Sequence, residues 1–464
     1  MIGHPRLPFP RLVKSVVLCA PFHRQDASSE KGSMPQAIAV GKSGLKEPMT
    51  TAYEDGAANT HAAREISRAR VKISKPTEVA TGGKTGSPAE PAPTSLRGRI
   101  LGFVAVVQTI LFLGHWFIYQ TWAAFAGPSG ASINTYVGAT LAVLSISLVS
   151  ATLLAHRFNN RPVRILYRIA AVWLGFLNFF FLAAGVSWLI YGAARLFGFS
   201  VNGPILATLI FGSAALAAVI GLLNARWIRV KRISVKLADL PLSWRGRVAA
   251  MVSDVHLGHV NGLGFMRRIV SMLRLLKPDV VFITGDLFDG TKVNPSALAA
   301  PWKSLAPTLG SYFVTGNHEE FTDPRNYLEG ISRAGIRVLR NERVVIDGLQ
   351  VVGVHFSSTT HPDHFSSVLK AANIDKTRAS ILLSHAPHAL EVAEKAGISL
   401  QLSGHTHRGQ IFPSTWFTKR IFGAYTYGLR TFRNLVVYTT SGVGTWGPPL
   451  RLGTNPEIVL MRFE

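Results

Sequence analysis

Val248-Ala-Ala-Met-Val-Ser-Asp254-Val-His256 and Val280-Val-Phe-Ile-Thr-Gly-Asp286-Leu-Phe-Asp289 are built alike. Each opens with five residues fit for a buried strand and reaches an acidic residue two places later. Short apolar runs bounded by Gly or Ser read as buried strands. The arrangement recurs at Tyr312–Thr315 before Asn317, at Ile381–Leu383 before His385 and at Leu400–Leu402 before His405. Phe265–Lys277, Pro295–Leu305 and His388–Lys395 read as helices. Strands alternating with helices indicate an α/β layered fold. In such folds ligands collect beyond the carboxyl ends of the strands, where these polar residues stand.

Five motifs follow one another: Asp254-Val-His256, Gly285-Asp286-x-x-Asp289, Gly316-Asn317-His318-Glu319, Ser384-His385 and Gly404-His405-Thr406-His407. Carboxylate, amide oxygen and imidazole are ligand types that suit Mn, Fe, Zn and similar divalent ions. A pair of such ions can clamp the attacking and leaving oxygens of a displacement at phosphorus. Any one motif occurs often by chance; all five in order, each just after an apolar run, is specific. The order and spacing resemble the calcineurin-like metallophosphoesterase family, and the resemblance covers residues 231–464.

The resemblance implies a β-sandwich flanked by helices with a dinuclear centre at the strand ends. Carried over by position, Asp254, His256 and His407 would bind one metal, and Asn317, His385 and His405 the second. Asp286 would bridge two divalent ions whose identity stays open, and a bridging hydroxide would attack phosphorus. His318 matches the non-ligand histidine that protonates the leaving alkoxide, a role that contributes roughly 10²–10⁴-fold. Asp289 matches the carboxylate that orients it, with a helix cap or surface carboxylate as the plainer reading. Glu319 reads as structural, and Gly285, Gly316 and Gly404 as tight turns.

Arg408 either contacts a substrate phosphate or is solvated. His355, His361, His364 and His388 receive no ligand role, and His388 reads as a surface or capping histidine on a helix. Gly442–Arg451 resembles a segment of the family's membrane-associated branch, which includes transmembrane metallophosphoesterases and enzymes acting on lipid-linked pyrophosphates. Gly353-Val-His355-Phe356-Ser-Ser departs from that branch, where an acidic pair often stands. If this loop lines the substrate pocket, substrate identity does not carry over.

The N-terminal half has a different composition. The chain has 464 residues and a net charge of +24, yet Arg99 to Asn224 holds no Asp or Glu. Apolar stretches at 100–124, 134–155, 166–191 and 203–224 each reach the ~20 residues that cross a bilayer. Trp116, Tyr119, Trp122, Trp173 and Trp188 suit interfacial or packing positions. Four spans over 96–226 follow a tail over 1–95 that reads as disordered. A faint apolar run at Ser15–Ala20 is too short for a signal peptide. The single cysteine, Cys19, permits no intrachain disulfide.

Basic residues alternate between the flanks of the spans. Arg97 and Arg99 precede the first; Arg157, Arg161, Arg164 and Arg168 surround the second loop; Arg226, Arg229, Lys231 and Arg232 follow the fourth. The positive-inside rule then predicts a multi-pass plasma (inner) membrane protein with a cytoplasmic catalytic domain.

Three functions fit this reading. The leading one is a membrane-anchored dinuclear-metal phosphohydrolase cleaving phosphoester or pyrophosphate bonds, with a phosphorylated, lipid-linked substrate and membrane lipids as partners. The second is a broad phosphodiesterase for soluble substrates whose spans serve only as an anchor. The third is an inactive membrane sensor or scaffold, against which the intact ligand set argues. No dedicated nucleic-acid motif is present, and the oligomeric state is open.

Overall fold

A computed structural model describes residues 96–125, 131–321 and 323–464. The tail expected to be disordered, and Cys19 with it, lie outside the described residues.

Among the described residues four helices come first: α1 (Leu96–Phe125), α2 (Ala131–Arg157), α3 (Arg161–Leu196) and α4 (Gly203–Arg226). Each is long and apolar enough to cross a membrane. Their sequences explain the boundaries. Asn160 accepts from the Val163 N–H at 3.0 Å and Asn202 from the Ile205 N–H at 3.1 Å, each beside a first-turn proline. An Asn cap followed by Pro satisfies exposed amides at the start and needs no donor from the ring.

Twelve strands follow, in two six-stranded sheets. They are β1 (Arg229–Val235), β2 (Val248–Val252), β3 (Val280–Thr284), β4 (Ser311–Val314), β5 (Arg337–Val338), β6 (Glu342–Ile346), β7 (Leu349–Gly353), β8 (Ser380–Leu383), β9 (Leu400–Ser403), β10 (Gly428–Phe432), β11 (Leu435–Thr439) and β12 (Glu457–Phe463). The first sheet runs β1-β12-β2-β3-β4-β5 and the second β10-β11-β9-β8-β7-β6. β2, β3 and β4 are parallel neighbours, as are β7, β8 and β9. Their carboxyl ends therefore deliver residues to one end of each sheet.

Alternation along the strands separates the layers. Met251, Phe282, Val351, Leu383 and Leu402 form the buried layer between the sheets. Val252 and Ile283, on the other face of the first sheet, pack with Met266, Ile269 and Leu273 of the Leu263–Leu276 helix. Val352 and Leu382 pack with Phe365 and Leu369 of the Pro362–Ala371 helix and Leu390 and Ala393 of the Leu390–Lys395 helix. This is the helix-flanked β-sandwich that the resemblance implies.

Two helices differ from expectation. The helix expected over Pro295–Leu305 divides into an α-helix, Pro295–Ala299, and a tighter 3₁₀ segment, Ala300–Ser304. Pro301 lies at the division and has no N–H to continue the ladder. The helix expected from His388 begins at Leu390, so His388 precedes it.

The helices and the sandwich meet along a defined seam. Only Trp227 and Ile228 separate α4 from β1. Asn224 donates to the carbonyls of Arg451 and Thr454, both at 2.8 Å. The side chain of Leu450 is buried against Gly175 of α3, where a Cβ would collide with it, and Gly221 of α4, where a Cβ would sit 3.1 Å away. Arg168 of α3 donates to the His259 carbonyl at 2.8 Å.

Candidate metal centre

The strand ends assemble all seven ligand candidates. Asp254 and His256 follow β2, Asp286 follows β3, Asn317 follows β4, His385 follows β8, and His405 and His407 follow β9. Donor atoms of Asp254, His256 and His407 lie within 4.8 Å of one another, as do those of Asp286, His385 and His405. Asn317 joins the second group, its Oδ1 standing 3.1 Å from His385 Nε2 and 3.0 Å from His405 Nδ1. Asp286 stands between: its Oδ2 is 3.2 Å from His385 Nε2 and 3.7 Å from His256 Nε2. His318 is close enough to group with His256 and Asp286 as well.

The backbone here is strained in one consistent way. Asp254, His256, Asp286, His405 and His407 all adopt left-handed conformations, φ 46 to 67°. Such a conformation costs an L-residue roughly 1–2 kcal/mol, and strain of this kind clusters at functional sites. Hydrogen bonds hold it. The Asp254 N–H donates to the Gly285 carbonyl at 3.1 Å and the His256 N–H to that of Asp286 at 3.0 Å. The His405 N–H donates to Asp254 Oδ1 at 3.0 Å, and the His318 N–H to Asp286 Oδ1 at 2.9 Å. Gly285 has φ +88°, and a Cβ there would sit 2.8 Å from the Gly316 backbone.

Electrostatics suit cation ligation. Burial, first of all, holds His256 and His407 well below the ordinary imidazole range and brings His405 down to about 3. Neutral imidazoles are the form that ligates metals. Burial also pushes the Asp254 carboxyl up to about 6. Burial works to raise Asp286 too, but the positive charge of His385 overcomes it and holds Asp286 well below the usual carboxylate range. Burial opposes charge on His385; the Asp286 carboxylate overrides it and raises His385 to about 10. The Nδ1–H of His385 donates to the Thr284 carbonyl at 2.7 Å, which turns Nε2 toward Asp286. A divalent ion would compete with the proton at that nitrogen, as metal binding generally displaces protons. His256 Nδ1 is buried without a hydrogen-bond partner. Carboxylate, amide oxygen and imidazole converging in a buried pocket fit divalent transition-type ions.

His318 and Asp289 meet through the main chain. His318 Nδ1–H donates to the Asp289 backbone carbonyl at 2.9 Å. The Asp289 carboxylate instead accepts from the Thr291 N–H at 2.9 Å and hydroxyl at 2.5 Å. The sequence pointed to the right neighbour but assigned the contact to the side chain; the two-residue reach to Thr291 closes a local turn that captures the carboxylate. The His318 ring lies 4.4 Å from that of Phe321 and 5.9 Å from that of Trp446.

Glu319 is buried and accepts from the N–H groups of Asp286 at 3.0 Å, Phe288 at 2.9 Å and Gly316 at 2.8 Å. It braces the loops that carry Asp286 and Asn317, in keeping with its structural reading. Burial and then the charge of Asp286 push its carboxyl up to about 8. His388 is half-buried and does not cap the helix: its Nε2 meets the Thr359 carbonyl at 3.0 Å, and burial lowers its pKa. His355 bonds to the Thr315 hydroxyl at 2.9 Å. His361 caps the Pro362–Ala371 helix without a side-chain bond, and His364 lies within that helix. Phe356, in the loop that departs from the family branch, packs its ring 5.8 Å from both His385 and His405.

Arg408 stacks 4.5 Å over Tyr427. It lines a cavity of about 170 Å³ with Arg229, Lys231 and Glu457. Arg451, the last residue of the Gly442–Arg451 segment, places a fully buried guanidinium 3.2 Å from His407 Nδ1. Burial lowers its pKa to about 10, so it stays charged at neutral pH. Only its final position in an irregular loop reveals this; no local pattern announces it.

A family model described as calcineurin-like phosphoesterase matches residues 249–409. A "Transmembrane protein with metallophosphoesterase domain" from Danio rerio is 37% identical over 260 residues, covering 53% of this chain and 59% of that one. Its namesake from Bos taurus is 34% identical over 287 residues, covering 56% and 62%. The matched region thus spans less than two thirds of those two relatives. An "Uncharacterized metallophosphoesterase" from Aquifex aeolicus (strain VF5) is 32% identical over 247 residues, covering 52% of this chain and 94% of that protein.

Proposed function

We propose a function from one premise: this chain belongs to the calcineurin-like phosphoesterase family. With four helices apt to cross a bilayer and relatives named as transmembrane proteins, it is a membrane protein carrying a metallophosphoesterase domain. Our reading is a membrane-anchored phosphohydrolase that uses two divalent ions to cleave a phosphoester or pyrophosphate bond of a phosphorylated substrate. The observation that carries it is Asp286, whose Oδ2 lies within 3.7 Å of imidazole nitrogens from both donor groups.

In this reading Asp254, His256 and His407 would hold one ion and Asn317, His385 and His405 the other, with Asp286 available to both groups. Two such ions supply Lewis acidity and bring the pKa of water toward neutrality. The protein's own part is proton delivery and orientation. His318 donates a hydrogen bond from Nδ1–H to the Asp289 carbonyl, which leaves Nε2 as the nitrogen that would pass a proton to the leaving group. Phe321 and Trp446 flank the ring and limit its rotation. Backbone amides of His318 and His405 fix the two carboxylates, so orientation is set before substrate arrives.

The distribution of Arg and Lys at the helix ends supports a cytoplasmic catalytic domain in the plasma (inner) membrane. A reporter fused after Glu464 should be active only inside the cell; activity only outside would reverse the orientation. For the activity, full-length protein in detergent with Mn²⁺ should hydrolyse a chromogenic phosphodiester or an amphiphilic pyrophosphate, and a chelator should stop it. No turnover of phosphoesters or pyrophosphates with any divalent ion would refute the reading and favour a scaffold.

A further inference from the structure

The metal-donor end of the sandwich is also its membrane end. β1 leaves α4 after two residues and pairs with β12 so that Arg229 lies opposite Glu457 and Val235 opposite Phe463. β12 runs antiparallel to β2, with Val459 opposite Met251 and Arg462 opposite Val248. The start of β1, beside the apolar helices, is therefore level with the end of β2, where Asp254 follows.

The surface at this end is aromatic and exposed. The helix Ser414–Phe422 has no buried residue. Phe412, Trp416, Phe417 and Trp446 are 55 to 60% exposed. This collar reaches the site itself: the Phe422 ring is 6.0 Å from His405, and the Trp446 ring 5.9 Å from His318. It also starts on the apolar helices. Asn178 of α3 donates to the Phe412 carbonyl at 3.0 Å, and Ile411 packs with Phe179 of α3 and Ala218 of α4.

The depth of that contact follows from helix length. At 1.5 Å per residue, Asn178 lies about 27 Å along α3 from Leu196, and Ala218 about 23 Å along α4 from Gly203. A hydrocarbon core is about 30 Å thick. A bilayer that starts at the Leu196–Gly203 end thus finishes near Phe412. Lys419 and Arg420 stand among the aromatics, the residue mixture of helices that lie in the headgroup boundary. Large exposed apolar patches on a protein mark binding surfaces, and this one adjoins the exposed apolar residues of α3 and α4.

We propose that the Ser414–Phe422 helix, with Phe412 and Trp446, is seated in the headgroup–acyl boundary and admits a membrane-resident phosphorylated amphiphile whose acyl part stays in the bilayer. This rests on the phosphohydrolase reading for the chemistry, but the seat in the bilayer can be tested without it. Full-length protein with Cys19→Ser would carry one cysteine, either Phe417→Cys or Leu242→Cys, labelled with an environment-sensitive fluorophore. Leu242 is exposed and precedes β2, at the opposite end of the sheet. In vesicles of phosphatidylcholine with a minor fraction of phosphatidylglycerol, nitroxide lipids should quench the label at 417, and aqueous iodide the label at 242. Iodide quenching at both positions overturns the proposal. So does a label at 417 that neither quencher reaches, which would mean a second protein copy covers the collar.

A second arm reads substrate class. Trp416→Ser with Phe417→Ser should lower the ratio of kcat/KM for a vesicle-borne diacyl phosphate to that for a soluble chromogenic ester by roughly tenfold or more. An equal fall on both substrates overturns entry through the collar. If wild-type protein cleaves neither substrate, the phosphohydrolase reading fails, while the quenching result still decides the seat.

Discussion

Arg451 touches a candidate metal ligand and a membrane helix at once: its guanidinium stands 3.2 Å from His407 Nδ1, and its backbone N–H donates at 3.0 Å to the Gly221 carbonyl in α4. The same guanidinium donates to the carbonyls of Ser441 at 2.7 Å and Gly444 at 2.6 Å. A guanidinium can only donate, so His407 Nδ1 accepts and the ring proton sits on Nε2, 3.4 Å from Asp254 Oδ1, where a divalent ion would have to displace it. The loop carrying Arg451 is thereby clamped between the bundle and the metal centre.

Replacing Arg451 with Met should weaken metal retention by roughly 10- to 100-fold, the usual effect of removing a group that orients a ligand. It should also destabilise the domain by roughly 1–3 kcal/mol for each carbonyl left unpaired. Titration of Mn²⁺ into purified full-length variant, followed by activity, checks the first; thermal unfolding in detergent checks the second. A variant with unchanged metal affinity would remove Arg451 from the account of the site.

His318→Ala should separate chemistry from ligation. Loss of a general acid lowers kcat by roughly 10²–10⁴-fold, while bound metal should stay at the wild-type level because seven other donors remain. The deficit should shrink for substrates with more acidic leaving groups, which need less protonation. A deficit that is the same for all leaving groups, or a loss of metal, would assign His318 a different role.

Glu319 makes a structural rather than a chemical expectation. Glu319→Ala strands three buried N–H groups, each costing roughly 1–3 kcal/mol. Glu319→Gln keeps one acceptor oxygen and brings an unwelcome N–H₂ beside donors. Both should lower the unfolding midpoint of the metal-free protein, Ala by more. Equal stability of Ala and wild type would show that the bracing is irrelevant.

How much of this is legible in the sequence depends on how local each feature is. β2 and β3 have the bounds that their apolar runs suggested, Val248–Val252 and Val280–Thr284, because strands buried on both faces read as continuous apolar runs. The ligand candidates sit just beyond such runs, so chemistry and position could be read together. The β6–β7 hairpin was missed although Asp347-Gly348 joins it, with φ 47° and 87°; an Asp-Gly pair between apolar runs is a two-residue hairpin signal. β1 and β12 were missed because their pairing links residues over two hundred positions apart, which no local window contains. The Ser414–Phe422 helix hid for the opposite reason: its apolar residues face outward and look like no core. Asp289 shows the finest limit, since residue type cannot say whether a carboxylate or a carbonyl makes the contact.

The most direct test of the central claim is the metal content of full-length protein after saturation with Mn²⁺ and removal of free ion, compared with Asp286→Asn. Two ions per wild-type chain are expected, with fewer in the variant and a parallel loss of phosphoester hydrolysis, because Asp286 lies between both donor groups. Wild-type metal content in Asp286→Asn, or a wild-type chain that retains no ion, would contradict a dinuclear centre built on these residues.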